Sequence, residues 1–350
     1  MKRATKTVNI IDVAKAAGVS VSTVSRVLNS RADVAFDTQE RVLSVIGELG
    51  YTSSWAARSM RSHRKNLIGL VVPDIGWPYS IEVMKGINRA IAESPFDLLL
   101  YTAGDVRKAG AASHEQHYVS LYNSIADGVL IVASAAADFT TNAPVVSIDP
   151  HGVNPSYPFV QATNYEGARE AMRYLLELGH RRIAFVRLLQ MQLREVDAPS
   201  RQRLTGYREA FQTAGLEAPS AWYFNATPYD KPESPSIQAL FDAKPAFTAV
   251  VATDVPRALL VKRAAEARGL RIPRDLSLLC FQGIEPEIPE FSGPRVDFER
   301  LGREAVRLLS IPRRPRQRVQ VPMTWAEGAT IAPPRASHGV ENSVRIHLAP

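Results

Sequence analysis

Ser20, Val21, Ser22, Thr23, Ser25 and Arg26 crowd together directly after Gly18. Hydroxyls and a guanidinium on one short helix suit a nucleic acid. The arginine fork matches guanine O6 and N7, and small hydroxyls reach phosphates. A helix opening at Ser20 would turn its first residues toward base edges in a major groove. Side chains arranged for bond-making are scarce by contrast. There is no Walker loop, no G-x-G-x-x-G behind a strand, no G-x-S-x-G and no H-E-x-x-H. His114 and His117 stand three apart on a predicted helix, a spacing able to hold a metal, but no third ligand accompanies them. A solvated face is the preferred reading, and no metal or cofactor is expected. Cys280 is the sole cysteine, which excludes an internal disulfide. It reads as a small buried apolar residue in a reducing, cytoplasmic compartment.

The elements that must position the Ser20 helix are legible around it. Residues 9–50 read as three short helices. Asn9 caps the first, with Ile10, Val13, Ala14 and Ala17 on one face. Gly18 supplies the turn, and Ser20 caps a second helix carrying Val21, Val24, Val27 and Leu28. Asp37 to Glu40 reads as a capping box for a third helix, which presents Val42, Leu43, Val45, Ile46 and Leu49 and ends at Gly50. The charge is concentrated here too. Residues 1–65 hold eleven Lys/Arg against five Asp/Glu, nearly all of the chain's net +7. A positive excess at one end marks a polyanion partner.

From residue 66 the pattern changes. Apolar runs at 67–72, 97–101, 128–132, 145–148, 183–186, 249–252 and 277–281 suit buried parallel strands. Helical stretches at 80–93, 165–178, 200–213 and 254–268 separate several of them. This is a doubly wound α/β signature, and its length calls for two lobes with a cleft between them. The 350 residues, 45% hydrophobic and 22% charged, allow a sizeable core. No apolar run is long enough to cross a bilayer, and the basic start lacks the apolar region of a secretory signal. We therefore expect a headpiece over 1–50, a hinge over 51–65, a two-lobed domain over 66–332 and a disordered tail over 333–350. Three classes compete: a DNA-binding regulator, a transporter's solute-binding protein and an α/β enzyme. The headpiece and the missing enzyme motifs favour the first.

The run Asp12-Val13-Ala14-Lys15-Ala16-Ala17-Gly18-Val19-Ser20-Val21-Ser22-Thr23-Val24-Ser25-Arg26-Val27-Leu28-Asn29 closely resembles the headpiece of the lactose-repressor (LacI/GalR) family. The likeness continues through Leu178-Gly179-His180-Arg181-Arg182-Ile183-Ala184-Phe185 and Arg203-Leu204-Thr205-Gly206-Tyr207 to about residue 332. It implies an all-α helix-turn-helix headpiece joined to an α/β, periplasmic-binding-protein-like effector domain of doubly wound parallel sheets. It assigns Val21, Ser22 and Arg26 to bases, while Asn9, Thr23, Ser25 and Asn29 suit phosphates. Tyr51 to Met60 resembles the family's hinge helix, which adds Ala57 and Met60 to the DNA contacts. Met60 stands where leucine is usual, and methionine can wedge into a base step. Ser53 and Ser54 replace the usual Pro-Asn, which loosens the free hinge.

Position by position, the resemblance implies effector contacts at Tyr79, Asp149, Arg203, Thr253, Asp254 and Gln282. Plainer roles stand beside these: Tyr79 in a core, Asp149 as a turn former before Pro150, and Asp254 as a helix cap. The family's Gly-[FY]-Asp-Asp turn is replaced by Cys280-Phe281-Gln282-Gly283, and its Asn-Asp pair by Thr253-Asp254. A glutamine accepts one hydrogen bond and donates another, where a carboxylate accepts two. Among a sugar, a sugar derivative and an anionic metabolite, the expected effector carries an acceptor or anionic group opposite Arg203. The resemblance further implies a homodimer, or a higher symmetric oligomer, on a pseudo-palindromic operator.

Overall fold

The computed structural model describes residues 8–28, 33–51, 65–104, 110–151, 155–188, 198–227, 229–282, 291–311 and 317–335. The chain forms two compact units, Met1–Asn66 and Leu67–Pro350.

The first unit holds α1 (Ile10–Ala17), α2 (Val21–Leu28) and α3 (Phe36–Leu49). Asn9 opens α1 with a capping box: its Oδ1 accepts from the amides of Ile11 and Asp12, and the Asp12 carboxylate accepts the Asn9 amide. Gly18 ends α1 in the left-handed region at φ 63°, where a side chain would strain the backbone. The expected capping box of α3 does not form. That helix starts at Phe36 with Ala35 at its cap and no side-chain bond, so Asp37 sits inside the first turn. There its charge complements the helix dipole instead of closing a cap. Val13, Ala14, Ala17, Val24, Val27 and Val42 form the buried core. Leu43 and Leu49, read as part of that face, are exposed.

The second unit has two parallel sheets. The first contains β1 (Leu67–Val72), β2 (Asp97–Thr102), β3 (Gly128–Val132), β4 (Val145–Ile148), β5 (Phe159–Ala162) and β11 (Arg318–Val321), in the order β11-β5-β4-β3-β1-β2. The second contains β6 (Ile183–Leu188), β7 (Tyr223–Ala226), β8 (Ala249–Ala252) and β9 (Ser277–Cys280), in the order β7-β6-β8-β9. Strands β1, β3, β4, β8 and β9 are buried at every position, which is why they read as unbroken apolar runs. A small antiparallel pair, β10 (Gly293–Arg295) with β12 (Thr324–Ala326), lies where the chain passes between the lobes.

Helices α4 (Pro78–Ala92), α5 (Ala111–Ile125) and α10 (Phe298–Ser310) pack on the first sheet. Helices α6 (Asn164–Glu177), α7 (Ala198–Thr213), α8 (Pro235–Asp242) and α9 (Val255–Glu266) pack on the second. A Cβ on Gly86 of α4 would lie 1.8 Å from the Glu299 carbonyl oxygen, and one on Gly302 of α10 would lie 2.3 Å from that of Val83. The two helices therefore meet backbone to backbone. In the second lobe Tyr207 is fully buried and its hydroxyl donates to the Ile183 carbonyl at 2.6 Å. His180 is also buried, between Thr248 Oγ1 and the Ala332 carbonyl at 2.9 Å each, and burial lowers its pKa. Cys280 is buried as a thiol, as its apolar reading expected. No described helix is long and apolar enough to cross a membrane.

Candidate functional site

On α2, Val24 and Val27 face the headpiece core, while Ser22 and Arg26, one helical turn apart, stand exposed. Ser20 Oγ accepts the Thr23 amide at 3.1 Å and lies 2.7 Å from Ser22 Oγ and 2.8 Å from Thr23 Oγ1. A cluster of hydroxyls thus crowns the helix N-terminus, an arrangement able to meet phosphate or base-edge acceptors. Val21 is half-buried against the core, leaving part of its side chain for contact. Arg26 Nη1 lies 3.5 Å from Asp33 Oδ2, with the two side chains 61% and 59% exposed. Such an open pair contributes about 0–1 kcal/mol and is readily exchanged for another anion. Asn9 spends its oxygen on the cap of α1. Asn29, Ala57 and Met60 lie outside the described residues.

In the second unit, residues just beyond the C-terminal ends of the strands converge between the lobes, the usual ligand position in open α/β sheets. Trp77, Pro78 and Tyr79 follow β1, Asp149 follows β4, Asn164 follows β5, Thr253 and Asp254 follow β8, and Phe281 and Gln282 follow β9. With Arg203 from α7 they line one cavity of about 320 Å³. All six residues expected at an effector site are brought together there.

The cleft residues hold one another. The Tyr79 hydroxyl donates to Asp149 Oδ2 at 3.1 Å, and Asp149 Oδ1 accepts the Ala162 amide at 3.2 Å. Burial first, and the Asp149 charge second, push the Tyr79 pKa well above its ordinary value. Asp149 adopts φ 45°, a left-handed conformation costly for a non-glycine residue and concentrated at functional sites. Arg203 donates from Nε to Asn164 Oδ1 at 2.9 Å and from Nη1 to the Thr253 carbonyl at 2.5 Å. Its guanidinium carbon lies 4.4 Å from the centre of the Phe281 ring. Asp254 Oδ1 caps α9 by accepting the Arg257 amide at 3.0 Å, and it also pairs with Arg257 Nε at 2.5 Å. Gln282 Nε2 donates to the Phe291 carbonyl at 2.5 Å, which leaves its oxygen as the group to offer a ligand. Trp77, Tyr79 and Phe298 form an aromatic wall with centroids 5.0 Å apart in each neighbouring pair.

Residues 9–54 match the model of bacterial regulatory proteins of the lacI family, and residues 172–331 match a periplasmic binding protein-like domain. The HTH-type transcriptional repressor PurR of Mannheimia succiniciproducens is 30% identical over 313 residues, covering 86% of this chain and 90% of that one. The chain belongs to the lacI family. The ribose operon repressor of Halalkalibacterium halodurans is 32% identical over 281 residues, covering 79% of this chain and 80% of its own. Among solved structures, the lac repressor dimer bound to operator and the anti-inducer ONPF superposes with a TM-score of 0.73 at 20% identity. It covers 93% of this chain and 100% of that one.

This lacI-family chain is thus a DNA-binding regulator with a helix-turn-helix headpiece and a two-lobed α/β effector-type domain. Sequence reasoning missed several cleft residues: His151, Asn164, Arg257, Phe281 and Phe298. Phe281 directly follows β9, and Asn164 lies two residues beyond β5. The plain role considered for Asp254 is real, because it caps α9 while also lining the cavity. His114 and His117 are exposed on α5. Among the described residues no group of three or more His, Cys, Asp or Glu could hold a metal.

Proposed function

We propose that this protein represses transcription as a homodimer on a pseudo-palindromic operator, under control of a small polar effector bound between its lobes. The convergence of strand-end residues from both sheets on one 320 Å³ cavity carries the reading. That volume is at the small end of the range for ligand sites, about 300–1,000 Å³. The dimer described for the lac repressor supports two-fold operator reading.

In this reading Arg26 and Ser22 read bases, Val21 meets a thymine methyl, and Thr23 and Ser25 set register on phosphates. Asn9 keeps amide donors for a phosphate, and Asn29 joins the same set. The hinge, through Ala57 and Met60, adds the minor-groove contact. Tyr79, Asp149, Arg203, Thr253, Asp254 and Gln282 bind the effector. Arg203 meets an acceptor or anionic group, Gln282 accepts a donor, and the wall of Trp77 and Phe298 covers an apolar face. Because the ligand touches both lobes, its affinity depends on their separation. It can shift the DNA-binding equilibrium only by that difference.

Selection of random duplexes by the purified full-length protein, with and without a panel of sugars, sugar phosphates and organic acids, tests this. The expected product is a pseudo-palindromic consensus whose binding responds to one class of metabolite. Asp149→Asn should remove the response and keep operator affinity. A protein that prefers no duplex over random competitor under any metabolite sinks the proposal.

A further inference from the structure

Glu115 is the one acidic side chain of α5, is 1% exposed, and does not line the cleft. Its carboxylate is enclosed by donors from the loop that follows β3. Ser134 Oγ donates to Oε2 at 2.8 Å, the Ala135 amide to Oε1 at 2.9 Å, and the Ala136 amide to Oε2 at 3.1 Å. Burying a carboxylate is expensive, and burial does raise the Glu115 pKa while these three donors oppose it. The three hydrogen bonds offset part of that cost, and the loop they hold begins with Ala133 at φ 53°.

That loop is stitched to the segment carrying two cleft residues. The Ala133 amide donates to the Ile148 carbonyl at 2.8 Å, and the His151 amide donates to the Ser134 carbonyl at 2.8 Å. Asp149 and His151, on either side of Pro150, both line the cavity. Tyr157 adds a second clasp, donating to the Ala136 carbonyl at 2.6 Å.

We propose that Glu115 is a positioning residue for the effector cleft: by holding residues 134–136 it fixes the backbone that aims Asp149 and His151. An apolar side chain at this place on α5 would fill the same space but leave two loop amides without acceptors. The functional consequence rests on the cleft being the effector site, whereas the positioning itself is measurable without any ligand.

Hydrogen exchange on the full-length protein is the test. Glu115→Gln keeps the shape but sets an amide NH₂ among donors. The amides of Ala135 and Ala136, which lose a carboxylate acceptor, and that of His151, whose acceptor Ser134 sits on the loosened loop, should then exchange about tenfold faster. Amides of β8 in the other lobe should not change. Val119→Ala, on the same helix, destabilises without touching the loop, so its effect should spread over the whole first lobe. Unchanged His151 exchange in Glu115→Gln overturns the proposal, as does the same local pattern in Val119→Ala. Should Glu115→Gln not fold, Ser134→Ala and Tyr157→Phe each remove one clasp, and wild-type His151 exchange in both overturns it equally. A protein that binds no metabolite yet shows the expected pattern removes the effector reading and leaves the positioning role.

Discussion

On α2 of the headpiece, Ser22 and Arg26 stand in water above Val24 and Val27, and the Arg26–Asp33 ion pair is exposed on both sides. In the cleft, Tyr79, Asp149, Arg203 and Asp254 are already engaged by neighbours before any ligand arrives. The difference follows from what each region must recognise. Duplex DNA brings its own rigid lattice of charge, so side chains that swing freely can settle on it after steering by the basic field. A small ligand brings few groups, and ordering several side chains around it would consume most of its binding energy. The cleft is ordered in advance by the two large cores, which a headpiece core of six buried residues among those described could not do.

The contrast is easiest to break at the contact between α4 and α10, because α4 carries Tyr79 near its first turn. Gly86→Ala places a methyl 1.8 Å from the Glu299 carbonyl, so the helices must separate. We expect a loss of about 3 kcal/mol in stability of the second unit. The calorimetric transition of the full chain should fall by several degrees, and Tyr79–Asp149 should come out of register. An unchanged transition would mean that the cleft does not depend on this packing.

The headpiece was legible because its signals are local. Gly18, Ser20 and the spacing of Val24 and Val27 act within a few residues, and the structure uses each as the sequence suggests. Most buried strands were legible for the same reason, though β5, four residues long and largely buried, is not among the apolar runs. Less visible were β7, half-exposed at three of its four positions, and β11, whose side chains alternate between solvent and core at the sheet edge. The cleft was reachable only through family resemblance. Tyr79 and Asp149 are 70 residues apart, and Arg203 meets Thr253 across 50. Nothing in either local sequence announces the partner. The α3 cap failed for a related reason: Asp37 to Glu40 fits a cap, but the chain enters the helix earlier, at Phe36.

Paired arginine substitutions sharpen the comparison. Arg203→Ala leaves Asn164 Oδ1 and the Thr253 carbonyl without this donor, and Asn164 is 1% exposed. We expect about 2 kcal/mol of lost stability, together with loss of ligand binding. Arg26→Ala should leave the melting temperature within error, because its exposed pair with Asp33 contributes little. It should cost about 1–3 kcal/mol of discrimination at a single base pair. Binding to operators permuted at each position, beside melting curves for both variants, separates the two. A stability loss in Arg26→Ala equal to that in Arg203→Ala would erase the distinction between lent and locked side chains.

The smallest effect expected is a pH dependence confined to the second unit. His180 is buried there, and desolvation lowers its pKa despite the Ala332 carbonyl that favours its proton. The unfolded chain takes up that proton near the ordinary pKa of about 6.5, while the folded protein resists it until lower pH. Stability from this site is therefore complete above about pH 6.5 and declines as pH falls from there toward the folded-state value. One proton limits the slope to about 1.4 kcal/mol per pH unit. Melting of the full chain between pH 7.5 and 5.5 should show the decline, and His180→Gln should flatten it. A wild-type slope that survives the substitution assigns the effect to another group. If His180 is responsible, the operator affinity of the headpiece should not follow the same curve, since His180 belongs to the other unit.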